Sequence, residues 1–367
     1  MAQVVSGEAD LREYWRRFVA KVPYESGNYP YVTARVKAKK ASLYPEETYP
    51  RLLQMEIPQI ARFLGEGAYK EEIVALGARL RHVDLIERST ADNLAAVFTR
   101  IIAMCEGRLR EMVARYLERW DVANIKTILR GKLYGATAAE IEEDLVAAGS
   151  LDADSLRNLI GLETLEAVFG ALDGTIYEEA RRQMGEAFDP SKGFAAYEDA
   201  LAHVYYRRLL EEIQPRTEPS RLFREFVRRE IDILNVKTLL RVWQSKAEFD
   251  RPVFLQGGLE FEPEDLLAMT HLDLNGLLGR LSRYSLYEDI ATALRAIGDH
   301  GVAHVERTLE KSHLKAASRY SHIHPLSVLP ILDFLARKTR EVENIRIIAR
   351  GKEHGIPVEA MKELLVI

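Results

Sequence analysis

Asp121-Val-Ala-Asn124-Ile-Lys126-Thr-Ile-Leu-Arg130 is echoed by Asp232-Ile-Leu-Asn235-Val-Lys237-Thr-Leu-Leu-Arg241 and again by Glu341-Val-Glu-Asn344-Ile-Arg346-Ile-Ile-Ala-Arg350. The shared order is acid, aliphatic, any residue, Asn, aliphatic, base. The three asparagines, Asn124, Asn235 and Asn344, stand 111 and 109 residues apart. A second echo keeps the same period: Tyr69-Lys-Glu-Glu, Tyr177-Glu-Glu and Tyr287-Glu-Asp lie 108 and 110 residues apart, and Glu87, Glu198 and Glu306 follow in helical segments of similar register. A fixed period is the mark of a repeated structural unit.

We therefore divide the chain into an N-terminal extension at 1–27 and three helical units at 28–150, 151–260 and 261–367. Each unit ends in its Asn-bearing helix and a glycine loop, at Gly135, Gly257-Gly258 or Gly355-Ile-Pro357. Connectors rich in turn residues are expected at Phe188–Gly193, Gln214–Pro219 and Arg319–Pro325. Composition agrees with an all-α fold. Leu, Ala, Glu and Arg dominate the 367 residues, 22 Gly and 13 Pro interrupt them, and few windows alternate as a strand requires.

On the first Asn-bearing helix, a step of 100° per residue from Tyr116 carries Trp120, Asn124, Leu117 and Ile128 through about 40–120°, and Asp121, Ile125 and Leu129 through about 140–220°. The acid and the amide thus share a broad apolar arc. Buried there, they require hydrogen-bond partners, and three copies imply three equivalent pockets. The pairs Asp121/Asn124, Asp232/Asn235 and Glu341/Asn344 are expected to satisfy backbone groups of neighbouring helices and fix how each unit packs. The other face carries i,i+4 cations: Lys126 and Arg130, Lys237 and Arg241, Arg346 and Arg350. These either pair with carboxylates on adjoining helices or face a partner.

Charge and motif searches narrow the function. With 51 basic and 56 acidic residues the formal charge is -5, which argues against a nucleic-acid partner. The longest run free of Asp, Glu, Lys and Arg is Tyr320–Leu332, too short for a membrane helix of about 20 residues. Glu8, Asp10 and Glu13 stand where a signal peptide needs a basic start and an apolar run. The single Cys105 fits a reducing cytoplasm. No P-loop occurs, Arg130-Gly131-Lys132 being only a helix-end tripeptide. His300/His304 and His322/His324 lack the companions a metal site needs, and no nucleophile elbow frames a serine. No cofactor, metal or catalytic residue is assigned.

Two stretches resemble a known family. Asn28-Tyr-Pro-Tyr31-Val-Thr-Ala34-Arg35-Val-Lys-Ala38 and His324-Pro-Leu-Ser, continuing through Ala336-Arg-Lys and Glu343-Asn344 to Arg350-Gly-Lys352 and Gly355-Ile-Pro357, are similar to the C subunits of archaeal A-type and bacterial vacuolar-type (V-type) ATP synthases, relatives of the d subunits of eukaryotic vacuolar ATPases. The resemblance covers 28–367 and implies a funnel of three pseudo-symmetric helical units. It further implies a non-catalytic central-stalk rotor subunit, peripheral at the cytoplasmic face of the cell membrane. Its expected partners are the central-shaft subunits and the membrane rotor ring of proteolipid subunits, so that ATP synthesis or hydrolysis is coupled to proton or sodium transport. A helical scaffold that binds another protein is the alternative reading, although helical scaffolds of that kind repeat every 20–45 residues or so.

If Asn235 is buried among backbone groups, Asn235→Leu leaves those groups unpaired. The expected loss is about 1–3 kcal/mol of stability, read as a lower denaturant midpoint.

Overall fold

Strong helix formers dominate this chain and give helix after helix along it. The computed structural model describes residues 27–185, 190–246 and 253–367, with backbone alone at 190–193. Apart from Gly27, the extension at 1–27 lies outside the described residues, as does the start of the break expected at Phe188–Gly193. Eighteen α-helices and no strand are found among the described residues.

Helix α1 (Tyr29–Lys40) comes first. Short helices α2 (Thr48–Gln54), α3 (Ile57–Gly65) and α4 (Lys70–Leu76) lead to long α5 (His82–Met104) and α6 (Gly107–Leu133), followed by α7 (Ala138–Glu143). The same order returns in α8 (Ala153–Gly161), α9 (Leu165–Ala171), α10 (Ile176–Gln183), long α11 (Pro190–Glu212) and long α12 (Glu218–Ser245). It returns once more in α13 (Pro263–Met269), α14 (Leu274–Leu281), α15 (Tyr287–Arg295), long α16 (Ile297–Ile323), long α17 (Leu329–Glu353) and α18 (Val358–Leu364).

Local chemistry sets many of these boundaries. Asp152, Thr164 and Asp273 accept the N–H three residues on, from Ser155 (2.8 Å), Ala167 (3.1 Å) and Gly276 (2.8 Å), and so satisfy one of the free donors at a helix start. Thr137 and Glu140 form a reciprocal capping box at α7. At the C-termini, α6 and α17 leave the helix through left-handed Gly135 (φ 76) and Gly355 (φ 65), each eleven residues past its Asn. The residue eleven past Asn235 is Lys246, and it adopts the same conformation (φ 51) without the freedom of glycine. Gly257-Gly258, expected to fill this place, lie farther along the chain. The break expected at Arg319–Pro325 also moves: α16, kinked at Gly301 (φ 72), runs on from there through Ile323, because between Arg319 and Pro325 only the residue preceding proline is driven from helical geometry.

The six long helices pack in a closed cycle. α5 lies on α6, α6 on α11, α11 on α12, α12 on α16, α16 on α17, and α17 returns to α5. Helix α1 rests on α17 and α5, and α18 on α2. One apolar core extends from Tyr29 to Leu365, and a second lies on the other side of α12. α12 serves both, giving Phe223, Val227 and Ile231 to the first and Ile233, Val236 and Leu239 to the second.

Because an L-residue in left-handed geometry costs about 1–2 kcal/mol, Lys246→Gly should stabilise the protein. The expected gain, reduced by the added freedom of the unfolded chain, is about 0.5–1 kcal/mol, measured by chemical denaturation.

Candidate functional site

The three repeated asparagines are almost wholly buried, and each clasps the backbone of an irregular segment rather than a helix. Asn124 Nδ2 donates to Val146 O (2.7 Å) while its Oδ1 accepts Val146 N–H (2.9 Å). Asn235 holds Leu255 in the same two-way manner (2.8 and 2.7 Å), and Asn344 holds Val366 (2.9 and 3.1 Å). The side-chain amide thus acts as a one-residue strand partner for a segment 20–22 residues downstream. Only Asn or Gln carries a donor and an acceptor in that arrangement.

The acid three residues earlier anchors the chain where the next group of short helices begins. Asp121 Oδ2 accepts from Ser150 N–H and Ser150 Oγ (both 2.7 Å), and its Oδ1 from Leu151 N–H (3.0 Å). Asp232 accepts N–H groups of Leu259, Glu260 and Phe261 at 3.0–3.3 Å. Burial pushes both carboxyl groups up, against the pull of these N–H donors; Asp232 reaches about 6. Glu341 turns to the start of the chain instead, accepting Tyr44 N–H (2.6 Å), Tyr69 Oη–H (2.7 Å) and the Lys338 ammonium (2.8 Å). Tyr69 is the first of the echoed tyrosines.

Acid length matches the residue that faces it. A Cβ added at Gly149 would stand 2.2 Å from Asp121 Oδ1, and one at Gly258 would stand 2.2 Å from Asp232 Oδ1. The backbone must come this close for a short aspartate to reach it. Where the acid is Glu341, one methylene longer, the residue before the bonded N–H is Leu43 rather than glycine. This is the role of Gly258: close approach rather than helix termination.

On the opposite face Arg130, Arg241 and Arg350 meet the echoed glutamates. Arg130 pairs with Glu198 of α11 at 2.5 Å. Arg241 grips Glu306 of α16 through Nε (2.5 Å) and a terminal nitrogen (3.0 Å). Arg350 holds Glu87 of α5 in the same forked way, with 2.9 Å for its second contact. One turn earlier, Lys237 pairs with Glu310, and Arg346 stands 3.9 Å from both Glu87 and Asp144. Lys126 lies near Glu198 and Asp199, though burial pulls its ammonium down. All three arginines remain at least half exposed, so each tie contributes little alone, about 0.2–1 kcal/mol.

A further buried group lies outside the repeated motif. Glu230 of α12 accepts from Arg119 (2.6 Å), Tyr206 Oη–H (2.8 Å) and Tyr116 Oη–H (3.1 Å), joining α6, α11 and α12. Against the upward push of burial, the Arg119 guanidinium holds its carboxyl below the usual range. The sequence does carry a signal for it: Arg119 and Glu230 each stand five residues before the repeated Asn, so the two aligned positions carry opposite charges.

Among the described residues no group of three or more His, Cys, Asp or Glu is placed to hold a metal ion, and no helix is long and apolar enough to cross a membrane. The buried Asn and acid of each repeat are committed to backbone groups or, at Glu341, also to Tyr69 and Lys338, an arrangement that holds a helical assembly in shape. Residues 32–364 match the model of the ATP synthase (C/AC39) subunit family. The chain is 37% identical to the A-type ATP synthase C subunit of Methanococcoides burtonii, over 97% of this chain and 99% of that one. It is 36% identical to the protein of the same name from Haloferax volcanii (93% and 98% covered) and 34% identical to that from Methanosarcina acetivorans (93% and 94%). The chain belongs to the ATP synthase (C/AC39) subunit family, and is a non-catalytic subunit that works with the other subunits of that complex.

Gly258→Ala should push Asp232 away from its three N–H donors. We expect a loss of about 1–3 kcal/mol in denaturant unfolding, with no recovery in the double variant Gly258→Ala/Asp232→Ala, which leaves the N–H donors unpaired and the added Cβ 2.9 Å from Phe261 O.

Proposed function

We propose that this protein is the central-stalk connector of the rotary ATP synthase, seated between the central-shaft subunits and the proteolipid ring at the cytoplasmic face of the membrane. In this reading the chain is three pseudo-symmetric units arranged as a funnel, divided as at 28–150, 151–260 and 261–367. It turns with the rotor and passes torque between the soluble head, where ATP is made or consumed, and the ring, where protons or sodium ions pass.

The closed cycle of six long helices supports this reading most directly. A connector under torque must deform little, and close-packed helices transmit strain because their interiors have few voids. An open row of helices would be weakest at its two ends. Here the last long helix is tied to the first part of the chain by Glu341 to Tyr44 and Arg350 to Glu87. The outer sides of Arg130, Arg241 and Arg350 stay open to solvent, so these residues can face a partner subunit while holding their glutamates.

Reconstitution of the complex with and without the protein tests the proposal. Without it, the soluble head should keep its ATPase activity and ATP-driven ion transport should be lost. Full transport in its absence would overturn the coupling role.

A further inference from the structure

Arg35, Lys39, Lys70 and Arg100 gather near the end of α1. Lys40 at the end of α1 pairs with buried Asp333 at 2.5 Å. Its neighbour Lys39 points to the other side, into a cleft of about 350 Å³ bounded by α1, α4 and α5, which Lys70 and Arg100 also line. Arg35 lies one turn back on α1. Among the described residues none of Arg35, Lys39, Lys70 and Arg100 makes an ion pair, and the side-chain hydrogen bond found in this group runs from Arg100 to Ala96 O of its own helix.

The Lys39 ammonium is pulled down by burial and then by Arg100, Arg35 and Lys338, all of them positive. Lys338 at the floor is already committed to Glu341 and the Tyr69 hydroxyl. The acids facing this region are Glu71 at the rim and Glu72, which is held by Asn93 Nδ2 (3.1 Å). The carbonyl oxygen of Asn93, buried in the same cleft, has no partner among the described residues. Like charges gathered around a concave surface raise the local concentration of anions.

We propose that this cleft binds a phosphate group, with Lys39 and Arg100 as its direct ligands and Arg35 and Lys70 supplying charge at the rim. Two features favour phosphate over a simple halide. Arginine and lysine together offer several N–H donors to a multi-oxygen anion, and the free Asn93 oxygen can accept the P–O–H of a monoprotonated free phosphate or a glycerol O–H beside a lipid phosphodiester. The phosphate is either free in solution or the headgroup of an anionic lipid. The proposal does not depend on the coupling role described above.

The test uses the full chain, its Lys39→Gln/Arg100→Gln variant and the rim variant Arg35→Gln. Inorganic phosphate at matched ionic strength should raise the wild-type melting temperature saturably. The double variant should lose about tenfold or more in phosphate affinity, and should melt no lower than wild type when phosphate is absent, since it is freed of mutual repulsion. Arg35→Gln should weaken binding by a smaller factor. Flotation with phosphatidylglycerol vesicles separates the sources: binding that free phosphate displaces and the double variant lacks assigns the site to a lipid headgroup, whereas phosphate binding without flotation assigns it to free phosphate. Equal response of all three proteins to phosphate, or no response of the wild type beyond that to chloride, would overturn the proposal.

Discussion

Everything in this molecule rests on a hydrogen-bonding need that helices cannot meet by themselves. A long helix satisfies its own backbone, but the irregular segments between helices must be buried against something that offers both a donor and an acceptor. Asn124, Asn235 and Asn344 supply both from within an apolar helix face. An unpaired backbone group at these places would cost about 1–3 kcal/mol, a large share of a stability that is usually about 5–15 kcal/mol. In the first two copies the adjoining acid fixes where the following chain begins, so that one short motif determines both the end of one helical group and the start of another.

Shape enters through the acids. Asp121 and Asp232 reach their N–H donors only because Gly149 and Gly258 let the backbone approach, while Glu341 spans a wider gap to Tyr44 beside Leu43. The acid and the residue facing it are therefore one choice made at two positions. Changing either alone opens a gap or forces a clash, although the acid and its facing glycine, Asp121 and Gly149 or Asp232 and Gly258, are far apart in the chain.

Much of this is legible in the sequence, and the reason is periodicity. The Asn spacing marks the repeated long helices, and the helix phase of Asp121 and Asn124 predicts burial, as found at 2% exposure for each. The identity of their partners is not legible, because Val146, Leu255 and Val366 are joined to the asparagines through backbone atoms that any residue carries. Gly257-Gly258 mislead for a related reason: glycine marks close approach as readily as a helix end, and Lys246 takes the left-handed position instead. The pairing of Glu87, Glu198 and Glu306 with the repeated arginines needs the packing order of the long helices, which spacing alone does not give. Glu230 stands apart from the motif; the opposite charges at aligned Arg119 and Glu230 point to it, and its hold on three helices needs α6, α11 and α12 side by side.

The return of α17 to α5 has a consequence for how the protein is made. The ties between Glu341 and Tyr44 and between Arg350 and Glu87 join residues 297 and 263 positions apart. Synthesis proceeds from the N-terminus, so the docking face of α5 and the short helices before it leaves the ribosome long before α17 exists. That face stays uncovered by α17 while more than 200 further residues are added, and transiently bare surface of this kind is prone to aggregate. Completion of the cycle is an event of the last stage of translation, and early termination would strand an incomplete arc with both flanks exposed.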